Sequence, residues 1–547
     1  MANSISGLDI VIIVAYLLIV LVAGILSAGK TKMTSSGYFL AGRGLNFVLV
    51  GAALFASNIS TIHLVGLAAS GYNEGLVWGN FEWLAAITLI LLGLVFAPFY
   101  FKSKISTLPE FLENRYGPES RSVLAFIAII GALFVHIGMS LYAGAVVFET
   151  FFGIDVFISI LIISLITTIY TVLGGLKAVV VTETIQSVIL IAGAVMLTII
   201  GISVLPESGI SSLADLRASL KPGQLEMLHT RESLKLLGDS GFESGLTWYA
   251  CFLGYPILGL WYWCSDQTIV QRVLGAKTMK DAQLGPVFAG FLKILPVFIL
   301  VFPGVIAYIL FKDDIGTNAN QALPVMITHL LPAGLKGIMA ATLLAALMST
   351  IAAALNSCGT LVAVDILKRI RPDITDSSQV RAGRISAVIV MILAIAWSTQ
   401  GDKFSSIFEA INKIASAIAP PVAVVFLFGV FSKRGSRKAA FVTLITGLIL
   451  GAATFCIDFA PLSGYMYITK GLGIPFMMQA WWLFVICTMV YFITSYLTEP
   501  PSSEIVKNFT WENPIAVIAK DSFKGINDAR LWAAVLIVTL VILYIIF

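Results

Sequence analysis

Ala56-Ser57-Asn58-Ile59-Ser60-Thr61-Ile62-His63 lies in the middle of an apolar run, 45–71. The run is long enough for a membrane helix, which needs about 20 apolar residues to cross the hydrocarbon core. Yet its centre is crowded with hydroxyl, amide and imidazole side chains. Asn, Ser and Thr compete for backbone hydrogen bonds, and a lipid-facing helix offers them no water in exchange. A helix broken here, inside protein, would turn free carbonyls toward a cation.

The surrounding chain has the composition of a membrane protein. Of 547 residues, 58% are hydrophobic and 12% charged, against roughly 25% charged in soluble proteins. Mean hydropathy is +0.95 and net charge +4. These values exclude a disordered chain, a coiled coil, a secreted disulfide scaffold and a nucleic-acid binder. They predict one membrane domain over residues 1–547. Cys251, Cys264, Cys358, Cys456 and Cys487 form no CxxC pair and lie in apolar stretches, so no disulfide framework or zinc site is expected.

Fourteen apolar stretches follow in order: 8–27, 45–71, 76–101, 122–151, 155–173, 179–204, 244–271, 282–311, 334–367, 383–400, 405–431, 438–457, 475–497 and 531–547. Lys and Arg concentrate in alternate connections, those holding Lys30, Lys102, Arg115, Arg272, Lys368, Arg434 and Lys507 among others. The positive-inside rule makes these connections inner and both ends outer. Met1–Gly7 has no basic residue, so the first span does not read as a cleaved leader. Two outer connections are long, 205–243 and 312–333, and Leu323–Pro332 in the second predicts a short hairpin helix. Residues 498–530 form an inner linker.

The seventh span repeats the irregularity of the second. Gly254, Pro256 and Gly259 weaken the helix before Trp261-Tyr262-Trp263-Cys264. Spans two and seven hold the same place in two successive sets of five. Interrupted helices at matching positions predict an inverted-repeat secondary transporter with a midplane site. Ionisable residues within spans are functional candidates: Glu82, Lys293, Lys413, His63 and His136. The adjacent hydroxyls of Ser349 and Thr350 suit a hard monovalent cation. Gly24–Thr31 fits a phosphate-loop pattern, but it closes a membrane span and lacks the strand before and helix after that such a loop needs.

The spaced motifs resemble those of the solute:sodium symporter family, in its sodium/glucose cotransporter branch. They are Asn58-Ile-Ser with His63, Phe81-Glu82-Trp83, Tyr170-Thr-Val-Leu-Gly174-Gly175 with Thr182-Glu183, Leu260 to Arg272, Phe291-Leu-Lys293, Ser349-Thr350 with Asn356-Ser357, and Pro420-Pro421. The resemblance covers about 8–497. It implies an all-α polytopic membrane fold of fourteen transmembrane helices around a LeuT-type core. The extra N-terminal helix is 8–27 and the two inverted repeats are 45–204 and 244–431. The segment 438–547 holds three peripheral helices and the inner linker.

For the site, the resemblance implies that Asn58, His63, Glu82, Tyr262, Trp263, Lys293 and Asn412 bind a sugar. Leu67, Phe81 and Phe408 form the outer gate and Tyr262 the inner one. Sodium lies between the carbonyls of Ala56, Ile59 and Ala346 and the hydroxyls of Ser349 and Thr350. Relatives have Gln where this chain has Asn412, and a polar sugar contact at the position of Gly259. A second sodium in some relatives uses an Asp after the Gly-Gly motif and further hydroxyls. Here those positions are Glu183, Ala352 and Ala353. Glu183 is expected near the inner surface, solvated, as an ion exit, and one sodium is expected per sugar.

The implied activity is sodium-driven symport of a glucose- or galactose-like monosaccharide across the plasma (inner) membrane by alternating access. The alternatives are symport of myo-inositol, an anionic sugar or an amino acid, and passive facilitation. Lys293 and Lys413 would suit a carboxylate substrate; Glu82 opposes one. No motif suggests an enzyme or a cofactor. The expected partners are sodium, a small sugar and the bilayer.

Overall fold

A computed structural model of the chain describes residues 6–28, 34–237, 246–399, 407–519, 522–523 and 525–547. These residues are helical throughout, with no strand among them. Among the described residues, eleven helices are long and apolar enough to cross a membrane. Two of them, Thr61–Lys102 and Val156–Ser208, each take in parts of two stretches expected as separate spans. The longer is interrupted at Gly175, where φ is 60°. The short helix expected at Leu323–Pro332 is present as Ala322–Leu330.

The burial pattern sorts helices into centre and rim. The apolar window of Leu335–Ile370 is 94% buried and that of Gly7–Ser27 only 17%. Leu335–Leu361 can be central because one side chain after another is small: Ala340, Ala341, Ala345, Ala346, Ala352, Ala353 and Ala354 are all buried. In a membrane there is little hydrophobic drive between helices, so close approach of small residues supplies the packing. This helix lies against Val156–Val204 and Gly7–Ser27.

The second span is broken at its polar centre. Phe47–Asn58 and Thr61–Glu74 are separate helices. Between them Ile59 (φ −80°, ψ 110°) and Ser60 (φ −105°, ψ 171°) are extended. The Ser60 N–H donates to His63 Nδ1 at 3.3 Å, so the chain's own side chains satisfy the start of the second half.

The break in the seventh span does not fall where glycine and proline suggested. Trp248–Gly259 is helical through Gly254, Pro256 and Gly259. It continues as a widened π-type turn, Leu260–Ser265, and opens at Asp266 (φ −79°, ψ 125°). The two glycines serve packing instead. A Cβ on Gly254 would come within 2.4 Å of the Met477 carbonyl oxygen, and one on Gly259 within 2.6 Å of the Thr88 methyl. Asp266 accepts the Thr268 N–H at 2.6 Å and starts the short helix Gln267–Leu274. An N-cap residue takes extended backbone, so the aspartate that caps the next helix ends the previous one.

Candidate functional site

A cavity of about 150 Å³ opens beside the broken second span. Asn58, Ser60 and His63 reach it from the break, Glu82 and Phe81 from the start of Asn80–Leu91, and Lys293 from the end of Met279–Leu292. Tyr262 and Trp263 reach it from the widened turn of the seventh span, and Asn412 from Ile407–Phe431. Leu67 lines it too. The seven residues expected to hold a substrate thus share one cavity. The Phe408 side chain lies outside the described residues. Ile127, Leu258, Ile411, Ile414 and Ile418 form an apolar wall.

Lys293 organises the polar wall. Both it and Glu82 are buried, and Nζ lies 2.5 Å from Glu82 Oε2. The same ammonium donates to Asn58 Oδ1 and sits 5.5 Å from the centre of the Trp263 ring. Lys293 caps the C-terminal end of its helix, where the macrodipole favours a cation. Such a buried pair is weak evidence for stability, since desolvation offsets most of the attraction, but removing one partner strands a charge. The wall as a whole carries compensated charge and many donors and acceptors. Phe81 stacks on Trp78 at 5.5 Å and meets Tyr255 edge-on at 5.3 Å.

The ion site expected from sequence is a set of converging oxygens. Because the helix stops at Asn58, the Ala56 and Ser57 carbonyls have no N–H one turn further on. They accept instead from the central helix: Ser349 Oγ donates to Ala56 O at 2.8 Å and Thr350 Oγ1 to Ser57 O at 3.2 Å. Ala346 O lies 3.0 Å from Ser349 Oγ and 3.2 Å from Thr350 Oγ1. Ile59 is in the extended link directly after them. Thr350 also lines the cavity, so one side chain touches both places.

Glu183 is buried, not solvated as the sequence reading expects. It is fully buried and paired by the equally buried Arg272, with Nε 3.3 Å from Oε2 and Nη2 on Oε1. Ser57 Oγ donates to Oε1 at 2.8 Å. Arg272 is therefore an interior residue of Gln267–Leu274 and not part of an inner loop. Lys413 also departs from expectation. It lines a separate, water-sized cavity of about 10 Å³ with Asp458 and Gln479, away from Glu82. His136 is in the main cavity, with Nε2 3.2 Å from Asp266 Oδ2.

Tyr255, Trp261 and Asp266 were not singled out as site residues. The Asp266-Gln…Gln271-Arg272 run was conspicuous in sequence, but nothing there says that Asp266 breaks the helix or that Arg272 folds back onto Glu183.

A broken helix crossed by a small-residue helix, with hydroxyls on carbonyls beside a central cavity, is the architecture of a membrane transporter. The family model of the sodium:solute symporter family matches residues 38–447, and the chain belongs to that family; it is a sodium-coupled solute symporter. It is 34% identical to sodium/glucose cotransporter 1 of Ovis aries, over 96% of this chain and 84% of that one. It is likewise 34% identical to sodium/myo-inositol cotransporter 2 of Homo sapiens, over 92% and 78%. Among solved structures, a Na+-coupled sialic acid symporter in a substrate-bound outward-open state has the same fold, with a TM-score of 0.77 at 22% identity, covering 91% of this chain and 99% of that one.

Proposed function

We propose that the chain carries a neutral monosaccharide or polyol together with sodium by alternating access. The observation that carries this reading is Lys293, whose ammonium is shared between Glu82 and Asn58 within the cavity. A carboxylate substrate would need that cation, and Glu82 already holds it. Lys413, the other cation that could have served an anion, faces a different cavity. A hydroxyl-rich ligand can both donate to Glu82 and accept from Lys293 and Asn58, while Tyr262 and Trp263 cover the apolar face of its ring. Sites built on such bonds reject analogues that lack a hydroxyl, because buried groups are left unpaired. The likeness to cotransporters of glucose and of myo-inositol supports the same ligand class.

In this reading sodium sits among Ala56, Ile59, Ala346, Ser349 and Thr350. The hydroxyls turn their lone pairs to the ion, and Glu183 lies next on its inward path. Leu67, Phe81 and Phe408 close the outer side and Tyr262 the inner. Fourteen crossings place both ends outside the plasma membrane, with inverted repeats at 45–204 and 244–431.

The test is counterflow in proteoliposomes loaded with unlabelled hexoses, inositols and sugar acids. Stimulation by a neutral sugar or polyol, dependent on sodium, is expected. Stimulation by a sugar acid alone, or sodium-independent exchange, would overturn the reading.

A further inference from the structure

The last helix, Ala529–Ile546, lies outside both proposed repeats, yet it touches the two helices that carry the Glu82–Lys293 pair. On one side it packs on Met279–Leu292. The Cβ of any residue replacing Gly290 would lie 2.6 Å from Leu536, and Trp532 meets Phe291 edge-on at 6.3 Å. Lys293 follows within a turn.

On the other side it grips the start of Asn80–Leu91. Tyr544 OH donates to Asn80 Oδ1 at 2.9 Å. The amide nitrogen of buried Asn80 donates to Val77 O at 2.8 Å and to Met227 O at 2.6 Å. Met227 N–H in turn donates to Phe547 O at 2.7 Å. The chain of bonds closes on itself: last helix, third span, outer loop, last helix. Trp83 stands in the same corner. Its ring is 5.0 Å from Tyr544 and 6.3 Å from Phe547, and its Nε1 donates to Ile294 O at 3.4 Å, next to Lys293. Glu82 lies between Asn80 and Trp83.

We propose that Tyr544 and Asn80 are positioning residues for the substrate wall. The last helix sets the separation and angle of Glu82 and Lys293 from behind, without reaching the cavity. The assignment rests on the reading of that cavity as the solute site. Substitution of Tyr544 should therefore act on solute affinity and leave the ion site, whose hydroxyls are on Ser349 and Thr350, unaffected.

Tyr544→Phe keeps the ring against Trp83 and removes only the hydroxyl, so the protein should fold. Purified Tyr544→Phe should bind glucose or myo-inositol about three- to tenfold more weakly, the range for one lost hydrogen bond. Its sodium half-saturation should not change. In a Glu82→Gln background it should produce a smaller further loss, since the carboxylate being positioned is gone. Hydrogen exchange supplies a ligand-free readout: Tyr544→Phe should raise exchange at 80–86 and 292–297 but not at 346–352. Unchanged exchange at 80–86, equal shifts in sodium and solute dependence, or full additivity with Glu82→Gln would each overturn the proposal. If wild-type protein binds neither probe, the solute reading fails instead, and the exchange pattern alone decides the role of Tyr544.

Discussion

Ser349 and Ala56 are 293 residues apart and are joined by a 2.8 Å hydrogen bond from hydroxyl to carbonyl. The bond exists because the second span stops at Asn58. In an unbroken helix the Ala56 carbonyl would be taken by the Ser60 N–H. Ser349→Ala removes one oxygen from a site for a hard cation, which prefers oxygen ligands. Half-saturating sodium should rise about tenfold, equivalent to about 1.4 kcal/mol, with solute KM unchanged at saturating sodium. Thr350→Ser retains its hydroxyl and should stay within about twofold. Sodium-dependent uptake measured for both variants checks this, and an unaltered Ser349→Ala curve would remove Ser349 from the ion site.

Glu82→Gln removes the counter-charge of the buried Lys293 ammonium and leaves it only the neutral amide oxygens of Gln and Asn58. Breaking a buried pair costs about 3–5 kcal/mol, so thermal stability in detergent should fall. A charge-assisted bond is worth about 1.5–3 kcal/mol, so solute affinity should drop about 10- to 100-fold. Adding Lys293→Met should recover stability but not binding. If the double variant binds solute like wild type, the pair only holds helices together.

How much of this was legible beforehand depended on distance along the chain. The break at Ile59–Ser60 was legible because the polar side chains that cause it lie within eight residues. The seventh-span break was misplaced because Gly254 and Gly259 resemble helix breakers, whereas Met477 and Thr88 occupy the space beside them. Asp266 ends the helix by capping the next one, a local signal that carried less weight than the glycines. Arg272 read as a loop cation, since only the fold brings it to Glu183. The Tyr544–Asn80 bond joins residues 464 apart, and no spacing rule reaches that far.

Asp9 ties the first helix to the central one. Its Oδ1 accepts the Gly334 N–H at 2.8 Å and the Gly337 N–H at 2.6 Å, at the N-terminal end of Leu335–Leu361. Asp9→Ala orphans two buried donors, each costing about 1–3 kcal/mol. The Tm should fall by several degrees, and less for Asp9→Asn, which keeps an acceptor. Equal Tm values for the two variants would show that the cap contributes nothing.

His229 should make its loop, 225–235, sensitive to acid. It is buried, with Nε2 3.0 Å from Glu226 O and Nδ1 3.1 Å from Ser233 Oγ. Burial pushes its pKa below the usual 6.5. Below pH 6.5 the unfolded loop gains a proton that the folded loop resists, so loop stability falls as pH drops and is retained above 6.5. Hydrogen exchange at 225–235, corrected for intrinsic rate, should increase between pH 7.5 and 5.5. The increase should vanish in His229→Gln. An increase that persists in that variant would place the sensitivity elsewhere.

The final prediction is stoichiometry, and its physical basis lies in Arg272. Glu183 is the acid that could hold a second sodium, but it is already neutralised by the guanidinium and bonded by Ser57. Ala352 and Ala353, buried on the central helix, bring no hydroxyl. One sodium per solute molecule is expected. A charge crossing 100 mV contributes about 2.3 kcal/mol, and a tenfold sodium gradient about 1.4 kcal/mol. Together they sustain a solute gradient of roughly 400- to 500-fold, since each 1.4 kcal/mol is a factor of ten. Two ions would sustain roughly the square of that. Proteoliposomes with clamped voltage and a fixed sodium gradient give the solute ratio at which net flux reverses. Reversal at a few hundredfold, with a sodium Hill coefficient of about one, is the expected result. Reversal near the squared value would mean that Arg272 releases Glu183 to a second ion during the cycle, and Arg272→Gln would then alter the ratio.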